Sequence, residues 1–516
     1  MKRKLTALFL AGTLALGGSL LLTSCTNPPL TTTPTTTAAT TQIPTPDHGG
    51  GRYPANIHFK GDEYDDWDRM VTVAYFESGN GSYTRRSLKA DLLDEADVDV
   101  ATRTRDLLLK ERFGLELEHV SYSLDGYLGF FYNYQELANM ICSGQNKFDL
   151  IVSKPSAAAK LTQTGYLLNL AEANDYLPDN WNIFGLNASY WSQAYNDAMS
   201  YKGAYFWITG DLALRYAGSM YATFVNERLY KDNLRSTYGE LPTIVKEGDW
   251  TIDLMTEMMT ALQTTSPDAN GLVYEPSEMM TALSLGMGSE FTVTDPATGE
   301  VHLTVLSQRV LDSATKIRTL VDLTSAKQFA YDYTDASIKE FAKSNSLFAV
   351  NTLISAELYL TDMTDGYMVL PMPKYDANDA YRTPVSESVN IFAVPVTSQK
   401  IPQALVALEF LCEYNHESVI PLFFENVLKG RYTRDPNLAT MMDIIHENAY
   451  ATFASIWSEN VGQINSFFYI PSNVNKSQLQ RKLNDWTIEL YNFTDKYDNA
   501  IEGYQTQRDK IFGADG

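Results

Sequence analysis

The chain has few of the side chains that usually carry metal and redox chemistry. Its 516 residues include three cysteines and six histidines, and no two cysteines stand in a CxxC spacing. No dithiol motif or structural zinc motif is therefore indicated, and we expect neither a bound metal nor a cofactor. Two interpretations remain open for Cys142 and Cys412: they are buried thiols in apolar helices, or they form a long-range disulfide.

Sequence signatures of common enzymes are also missing. The chain has no GxSxG, HExxH, GxGxxG or phosphate-loop GK[ST] motif. These absences argue against the enzyme classes that the motifs mark. A glycoside hydrolase stays possible, because its two carboxylates, roughly 5–10 Å apart in space, need share no sequence motif. We expect no catalytic residue and keep glycoside hydrolysis as an alternative.

Basic residues are in the minority. The sequence has 40 Lys and Arg against 63 Asp and Glu, which gives a net charge of −23. Such an acidic surface argues against nucleic acid, against docking on anionic lipid and against a polyanionic ligand. The acidic stretch at residues 62–68 is interpreted as a solvated entry to the globular part. A Ca²⁺ site is the alternative, but the stretch lacks the Gly and the ligand spacing of an EF-hand loop.

The first 25 residues have the layout of an exported lipoprotein. Basic residues at positions 2–4 precede an apolar run over residues 5–22, as in a secretory signal. The ending Leu22-Thr23-Ser24-Cys25 resembles a bacterial lipobox, where the Cys thiol receives a lipid and the chain is cut just before it. A transmembrane anchor is the alternative, but the run is short and interrupted by glycines. We expect a signal peptide at 1–24 and a lipidated, palmitate-bearing Cys25 at the extracellular face of the cell membrane.

Residues 25–52 are predicted to be a tether. They are mostly Thr, Pro, Ala and Gly, and such a composition cannot bury a core. In a polyproline-like conformation at ~3.1 Å per residue the tether would reach roughly 80 Å. About 460 residues remain after it, which suits two or three lobes better than one small core.

Strands and helices alternate after the tether. Residues 70–76, 115–122 and 148–152 are predicted strands, and residues 101–113 and 134–142 are predicted helices between them. This alternation predicts an α/β fold with a parallel sheet. Ligands of such sheets usually bind just past the carboxyl ends of the strands.

The remainder of the chain predicts more short strands and a helical last third. The strands are expected at residues 203–208, 220–225, 347–350, 367–370 and 389–394. One apolar stripe runs along the last helix, and we interpret it as core packing. Its members are Leu483, Trp486, Leu490, Phe493, Tyr497 and Ile501. Trp207 and Trp250 are interpreted as structural.

Several segments resemble the extracellular solute-binding proteins (family 1) that feed ABC importers, in particular the sugar-binding lipoproteins of Gram-positive bacteria. They occur in the family's order, behind the lipobox and the tether. The segments are LANMICSG at 137–144, FDLI at 148–151, GYLLNL at 165–170, TFVNERLY at 223–230, GDWTID at 248–253 and VLPMPK at 369–374. Each is a short fold signature, and the match depends on their order and spacing.

The resemblance implies a two-lobed, periplasmic-binding-protein-like (type II) fold with a central ligand cleft and several hinge crossings. The N-terminal lobe would comprise residues 53–209 and 390–435, and the C-terminal lobe residues 210–389 and 436–516. The lobes would close on a sugar-like solute without chemistry, and an ABC permease in the membrane would recognise the closed form. We expect the chain to be a monomer.

Sugar recognition needs aromatic rings for the C–H faces and carboxylate, amide or hydroxyl groups for the sugar hydroxyls. We expect such side chains after strand ends, beside the crossings and on loop-like segments. For Trp457 the resemblance implies an aromatic platform. The predicted ligand-binding residues are Glu77, Ser153, Ser156, Tyr190, Trp191, Asp211, Asn351 and Trp457.

The sequence therefore predicts the lipid-anchored substrate-binding component of an ABC importer for a carbohydrate or oligosaccharide. A tethered, non-catalytic glycan-binding or sensor module is an alternative, and a cell-surface glycoside hydrolase or lyase is a less favoured one. For a neutral sugar, affinity would depend only weakly on salt, because an uncharged partner is not screened.

Overall fold

A computed structural model describes residues 53, 69–78, 88, 97–124, 138–144, 147–178, 181–330, 335–428, 436–469 and 476–513. These residues belong to one unit of the chain, Pro46–Gly516. The predicted signal segment, Cys25, the tether and the acidic stretch 62–68 lie outside the described residues.

The first sheet follows the predicted strand–helix–strand pattern. Strand β1 (Met70–Ser78) pairs in parallel with β2 (Glu116–Leu124) and with β3 (Leu150–Ser153). Helix α1 (Asp97–Phe113) lies between β1 and β2 in the chain. Valines of β1 are fully buried, as expected for a strand that is covered on both faces. Strand β12 (Ile391–Ala393) completes the sheet antiparallel to β3, in the order β12-β3-β1-β2.

The second sheet has five strands in the order β10-β4-β9-β5-β8. Strand β5 is parallel to both β8 and β9, whereas β4 is antiparallel to β9 and β10. The sheet is therefore mixed, like the first. Its strands are β4 (Tyr221–Asn226), β5 (Asn270–Tyr274), β8 (Ala326–Gln328), β9 (Ser346–Thr352) and β10 (Tyr367–Leu370).

Helices and small strand pairs cover the two sheets. The pairs are β6 (Thr292–Thr294) with β7 (Val301–Leu303), and β11 (Thr383–Pro384) with β13 (Ala449–Tyr450). The other α-helices are α2 (Pro155–Thr162), α3 (Gln193–Met199), α4 (Leu214–Gly218), α5 (Glu227–Asn233), α6 (Arg235–Tyr238), α7 (Leu241–Glu247), α8 (Ile252–Thr265), α9 (Pro276–Gly286), α10 (Gln308–Val321), α11 (Ala336–Phe341), α12 (Ile354–Tyr359), α13 (Ile401–Tyr414), α14 (Ile420–Leu428), α15 (Pro436–Glu447), α16 (Phe453–Ile456) and α17 (Lys476–Phe512). Short 3₁₀ helices are Leu170–Tyr176, Ser458–Val461 and Ile464–Tyr469.

Two connectors carry the chain between the sheets. The first connector, residues 209–220, leads from the first sheet to β4. The second connector, residues 385–390, leads back to β12. Backbone pairs and hydrogen bonds join the two connectors: Thr209 with Asn390, Arg215 with Ser388, Ser219 with both Ser386 and Ser388, and Met220 with Val385. Ile208 pairs with Phe392 just beyond them. The connectors therefore run side by side where the chain passes between the sheets.

A third passage is helical. Helix α13 packs on β1 and α1 of the first sheet, then continues through a π-helical turn (Asn415–Val419) into α14. Helix α14 packs on α4 and α12, next to the second sheet, and α15 packs on β10. Single π turns inside α-helices are rare and often stand at functional positions.

The long terminal helix α17 confirms the predicted apolar stripe, since Trp486, Leu490, Phe493 and Tyr497 are buried. It packs on the region that follows α2. Three contacts are Gly503 with Gly165, Tyr504 with Tyr176 and Asp498 with Lys202. This part of the segment 436–516 thus packs on residues that the sequence analysis placed in the N-terminal lobe.

Two of the three cysteines can be checked for a disulfide in the described residues. Cys142 and Cys412 are both free; Cys142 is exposed and Cys412 is buried. The disulfide interpretation is therefore wrong, and the interpretation of two buried thiols holds for Cys412 alone. Among the described residues, no helix combines the length and the apolar character needed to span a bilayer.

A glycine contact tests the docking of α17. Gly165 has φ +70°, and a Cβ there would lie 2.8 Å from the Cα of Gly503. We expect Gly165→Ala to lower the free energy of unfolding by ~1–2 kcal/mol for the left-handed backbone and by a further ~1–3 kcal/mol for the clash. Urea unfolding followed by tryptophan fluorescence measures this loss.

Gly144→Ala is the matched control, because Gly144 has φ +66° with nothing within 4 Å of the added Cβ. This variant should lose only the backbone part. Equal losses in the two variants would contradict the close approach of α17 to Gly165.

Candidate ligand site at the facing strand ends

The carboxyl ends of the parallel strands form one edge of the first sheet. Strand β3 ends at Ser153, Lys154 follows, and α2 begins directly after it. Ile391 pairs with Ser153, so the second connector reaches the same edge. Its residue Glu387 is close enough to Lys154 for the ammonium to lower the pKa of the carboxyl.

The second sheet offers a matching edge. Strands β5 and β9 are parallel and end there, and β4 begins there, with Tyr221 paired to Thr352. Glu275 follows β5, and Glu278 lies in the first turn of α9. The side chain of Tyr221 is hydrogen-bonded to Glu278. A hydroxyl and two carboxylates therefore gather where these strands end.

The two edges face each other through a group of acids, here named the strand-end cluster: Glu275, Glu278, Glu387 and Glu459. Burial, with Glu459 and Glu278 nearby, raises the pKa of Glu387 to about 7, although Asn465 and Lys154 lower it. Burial and Glu275 raise the pKa of Glu278 to about 7 as well. Yet Glu278 remains an exposed residue. Perturbed carboxyl pKa values often mark functional positions.

Asn465 supplies an amide to this cluster. Its Nδ2 donates to Oε1 of Glu387 over 3.0 Å and to the carbonyl of Ser455 over 3.3 Å. Its Oδ1 is buried and has no hydrogen-bond partner among the described residues. A buried acceptor without a partner costs free energy, so a hydroxyl or ammonium donor from a solute would be stabilised there.

The arrangement suits binding of polar groups. Carboxylates and an amide accept hydrogen bonds from hydroxyls, and Lys154 and Tyr221 can donate. Within the described part of the chain, no three His, Cys, Asp or Glu side chains are placed to hold a metal ion.

Three predicted residues lie at these edges. Ser153 is buried, and its hydroxyl donates to the carbonyl of Lys154 over 3.3 Å, while Ser156 is half-buried in α2. Oδ1 of Asn351 accepts from the backbone N of Thr352 and from the hydroxyl of Ser355, each over 2.8 Å, so this amide stabilises the start of α12. Glu77 is in β1, and its side chain lies outside the described structure.

Trp457 is a core side chain in this structure. It has no exposed surface, its Nε1 donates to the carbonyl of Met199 over 3.3 Å, and its ring contacts Phe453, Phe493 and Tyr497. The indole therefore offers no open face as a platform in this conformation.

The other three predicted residues come together at a separate place. Tyr190, Trp191 and Asp211 line a cavity of about 670 Å³ between the segment 189–194 and helices α14 and α15. The hydroxyl of Tyr190 donates to Oε1 of Glu409, and Nε1 of Trp191 donates to Oε2 over 3.2 Å. Both rings are almost fully buried, so Glu409 holds them as part of the core.

Asp211 forms what we name the aspartate clamp with His416 and His446. Nδ1 of His416 lies 2.6 Å from Oδ2 of Asp211, and Nε2 of His446 lies 2.7 Å from Oδ1. Burial alone would raise the pKa of Asp211, but the two histidines outweigh it and lower that pKa. Burial likewise opposes the charge on His446, yet Asp211 raises the pKa of this histidine above its usual value.

Sequence reasoning missed the residues that connect these groups. Lys154 stands between the predicted residues Ser153 and Ser156, and Glu387 lies just before the expected lobe boundary at residues 389–390, so both had a signal. His416, His446, Glu409 and Asn465 had none, because nothing in their local sequence marks a long-range partner.

Comparison with known proteins shows the fold. No protein-family model and no curated protein matches the chain. A solved ABC transporter solute-binding protein from Thermotoga lettingae TMO, bound with α-D-tagatose, has 12% identity and a TM-score of 0.50, and the match covers 83% of this chain and 100% of that one. The cyclic α-maltosyl-1,6-maltose binding protein from Arthrobacter globiformis has 11% identity and a TM-score of 0.51, and the match covers 85% of this chain and 98% of that one. The predicted α/β, periplasmic-binding-protein-type fold is confirmed.

Glu387 makes the pH dependence of stability testable. The folded carboxyl has a pKa of about 7 against an ordinary value of 4.5, so between these pH values the native state binds more protons than the unfolded state. The free energy of unfolding therefore falls as pH rises through this window. We expect Glu387→Gln to flatten the fall and to be more stable than the unchanged protein at about pH 8, by at most about 3 kcal/mol. Urea unfolding at a series of pH values measures the slope.

Glu300→Gln serves as the control, because Glu300 is an exposed residue beside the β6–β7 hairpin. It should leave the slope unchanged. The prediction fails if Glu387→Gln and Glu300→Gln show the same pH profile.

Proposed function

We propose that this chain is the extracellular substrate-binding component of an ABC importer for a carbohydrate or oligosaccharide, and that it binds without chemistry. The observation that carries the proposal is the fold shared with two sugar-binding proteins over more than four fifths of the chain. The permease of such an importer is the expected membrane partner, and the mature chain is expected to act as a monomer.

The strand-end cluster is the proposed solute site. Lys154 follows the first sheet, Glu275 and Glu278 follow a strand of the second sheet, and Glu387 lies on the second connector between them, where the amide of Asn465 donates to it. A polyhydroxylated solute that bridges the edges would favour their closure by a hinge motion. Ser153, Ser156, Asn351 and Glu77 stay predicted neighbours of the solute.

The lobe boundaries remain part of the proposal. The first lobe would comprise residues 53–209 and 390–435, and the second lobe 210–389 and 436–516, with the two connectors at the junctions. Each sheet lies inside one of these proposed lobes, which supports the division for the sheets themselves.

A tethered glycan-binding or sensor module is the second candidate, because the same fold and site would serve it. The permease distinguishes the two: an importer component stimulates solute uptake in membrane vesicles that contain the permease, whereas a sensor does not. A glycoside hydrolase would instead release reducing ends from a polysaccharide.

Binding tests the proposed site. We expect at least one neutral oligosaccharide in a calorimetric panel to bind and to raise the unfolding temperature, since a ligand of the native state stabilises it by mass action. At about pH 8.5, where Glu387 is ionised, Glu387→Gln should weaken that binding about tenfold or more, because a hydrogen bond to a charged acceptor contributes ~1.5–3 kcal/mol.

Glu300→Gln, outside the cluster, should bind with unchanged affinity. If no neutral sugar binds, the proposed carbohydrate class is wrong. If a sugar binds to Glu387→Gln as tightly as to Glu300→Gln, the assigned site is wrong.

The proposed lipid anchor is tested at Cys25. We expect cells supplied with labelled palmitate to label the chain, and Cys25→Ser to lose the label and to move the chain from the membrane fraction to the medium, because one thiol carries the anchor. Cys142→Ser is the matched control, since Cys142 is the exposed free thiol of the described residues. Label that survives in Cys25→Ser would refute the anchor.

A further inference from the structure

The aspartate clamp connects three elements that reach both sheets. Asp211 belongs to the first connector, His416 to the π-helical turn between α13 and α14, and His446 to α15. Through these elements the clamp touches α13 on the first sheet and α15 on the second. Breaking the bond from Asp211 to His416 or to His446 therefore separates the first connector from the π-helical turn or from α15.

The clamp is buried at its centre and open at its rim. The carboxylate of Asp211 is 1% exposed, whereas the side chains of His416 and His446 are 33% and 16% exposed. Both histidines can therefore exchange protons with solvent while the carboxylate cannot. The cavity of about 670 Å³ borders all three side chains, so the histidines have room to move when they are released.

The acids that face the clamp favour the protonated form of His446. From α15, Asp443 and Glu447 raise the pKa of His446. Glu425 of α14 lines the same cavity, and Glu417 is next to His416 in the π turn. On the other side stand neutral groups: Tyr190, Tyr216 and the buried thiol of Cys412. No Lys or Arg is among the residues that line the cavity.

We propose that the aspartate clamp is a pH-responsive latch that holds the two sheets in the present arrangement most tightly when His446 is protonated and less tightly when His446 loses its proton. The latch is a property of the fold and exists without any solute. Its effect on solute capture rests on the proposed function, because only a solute that touches both edges responds to the arrangement of the sheets.

The direction follows from the two partners. The pKa of His446 is raised above 6.5, so its stabilisation is complete below that pH and is lost as pH rises through the folded value. The pKa of Asp211 is lowered below 3.8, so its stabilisation is present above that pH and is lost only as pH falls through the folded value. The latch is therefore strongest between these two pH values and weakens on the alkaline side.

Energy transfer between two dyes measures the latch without a solute. The exposed thiol of Cys142 accepts one dye, and Asp362→Cys, at an exposed position between α12 and β10, accepts the other in the full chain carrying Cys25→Ser. We expect the dye-to-dye distance distribution to shift or broaden between about pH 5.5 and about pH 8.5, with a midpoint above 6.5. In Asp211→Asn this pH response should disappear.

Further variants separate the latch from other titrating groups. Glu387→Gln, which removes an acid of the strand-end cluster, should keep the pH response. His446→Gln retains a side-chain donor but cannot titrate, so it should lose most of the response even if Asp211→Asn folds poorly. The resonance of His446, assigned by its absence in His446→Gln, should titrate above 6.5 in the unchanged protein and lower in Asp211→Asn.

A distance distribution that is identical at both pH values overturns the latch, and so does a response that Asp211→Asn and His446→Gln both retain. Loss of the response in Glu387→Gln would assign it to the strand-end cluster instead and would also overturn the latch. Failure of every sugar to bind leaves these distances unaffected, so the two proposals fail independently.

Discussion

The pairing of the two connectors is the constraint on which the site depends. A chain that passes three times between two sheets exposes backbone groups in the middle of the protein, and a buried backbone group without a partner costs free energy. The connectors solve this by bonding to each other: the hydroxyl of Thr209 donates to the carbonyl of Asn390 over 2.8 Å, and the backbone N of Ser386 donates to the carbonyl of Ser219 over 2.8 Å. Because each connector continues into a strand, this pairing also sets which strand ends meet. The two polar edges thus face each other because the backbone groups of the connectors must form hydrogen bonds.

Two groups of acidic side chains differ in whether their carboxylates are compensated by hydrogen-bond donors. Both oxygens of Glu409 accept bonds, from Tyr190 and Trp191, and both oxygens of Asp211 accept bonds from histidines. Such carboxylates are compensated and stabilise packing. The strand-end cluster is different: Glu387 and Glu278 are desolvated among other acids, and a neighbouring amide oxygen has no partner. An arrangement that is poorly compensated in the free protein is one that a bound solute would stabilise.

Much of the fold could be predicted because its signals are local. Strand β10 has the predicted bounds, and β1, β4 and β9 differ from the predictions by one or two residues at their ends, since apolar runs bounded by turns are recognised within a short window. Residues 203–208 were predicted as a strand but form only single bridges, at Ala204 and Ile208, where aromatic side chains fill the core beside α17 instead. Strand β8 was missed because Ala-Lys-Gln at a sheet edge carries no apolar pattern. The site was less predictable: the edges followed from the α/β pattern, but partners such as Asp211 with His446 are set by tertiary packing alone.

The residues of the proposed site are scattered along the chain, which explains why the fold does not determine the ligand. Lys154, Glu278, Glu387 and Asn465 lie in four distant segments, so no short motif records them, and two chains with the same fold can place different side chains at the same edges. About one residue in eight is identical to the sugar-binding structures. This likeness therefore extends to the fold but not to the side chains that would contact a ligand. What the architecture does require is that a solute touching both edges responds to the angle between the sheets. In the proposed function, a group that holds the connectors, such as the aspartate clamp, would act on binding without touching the solute, because it would change the population of the competent arrangement.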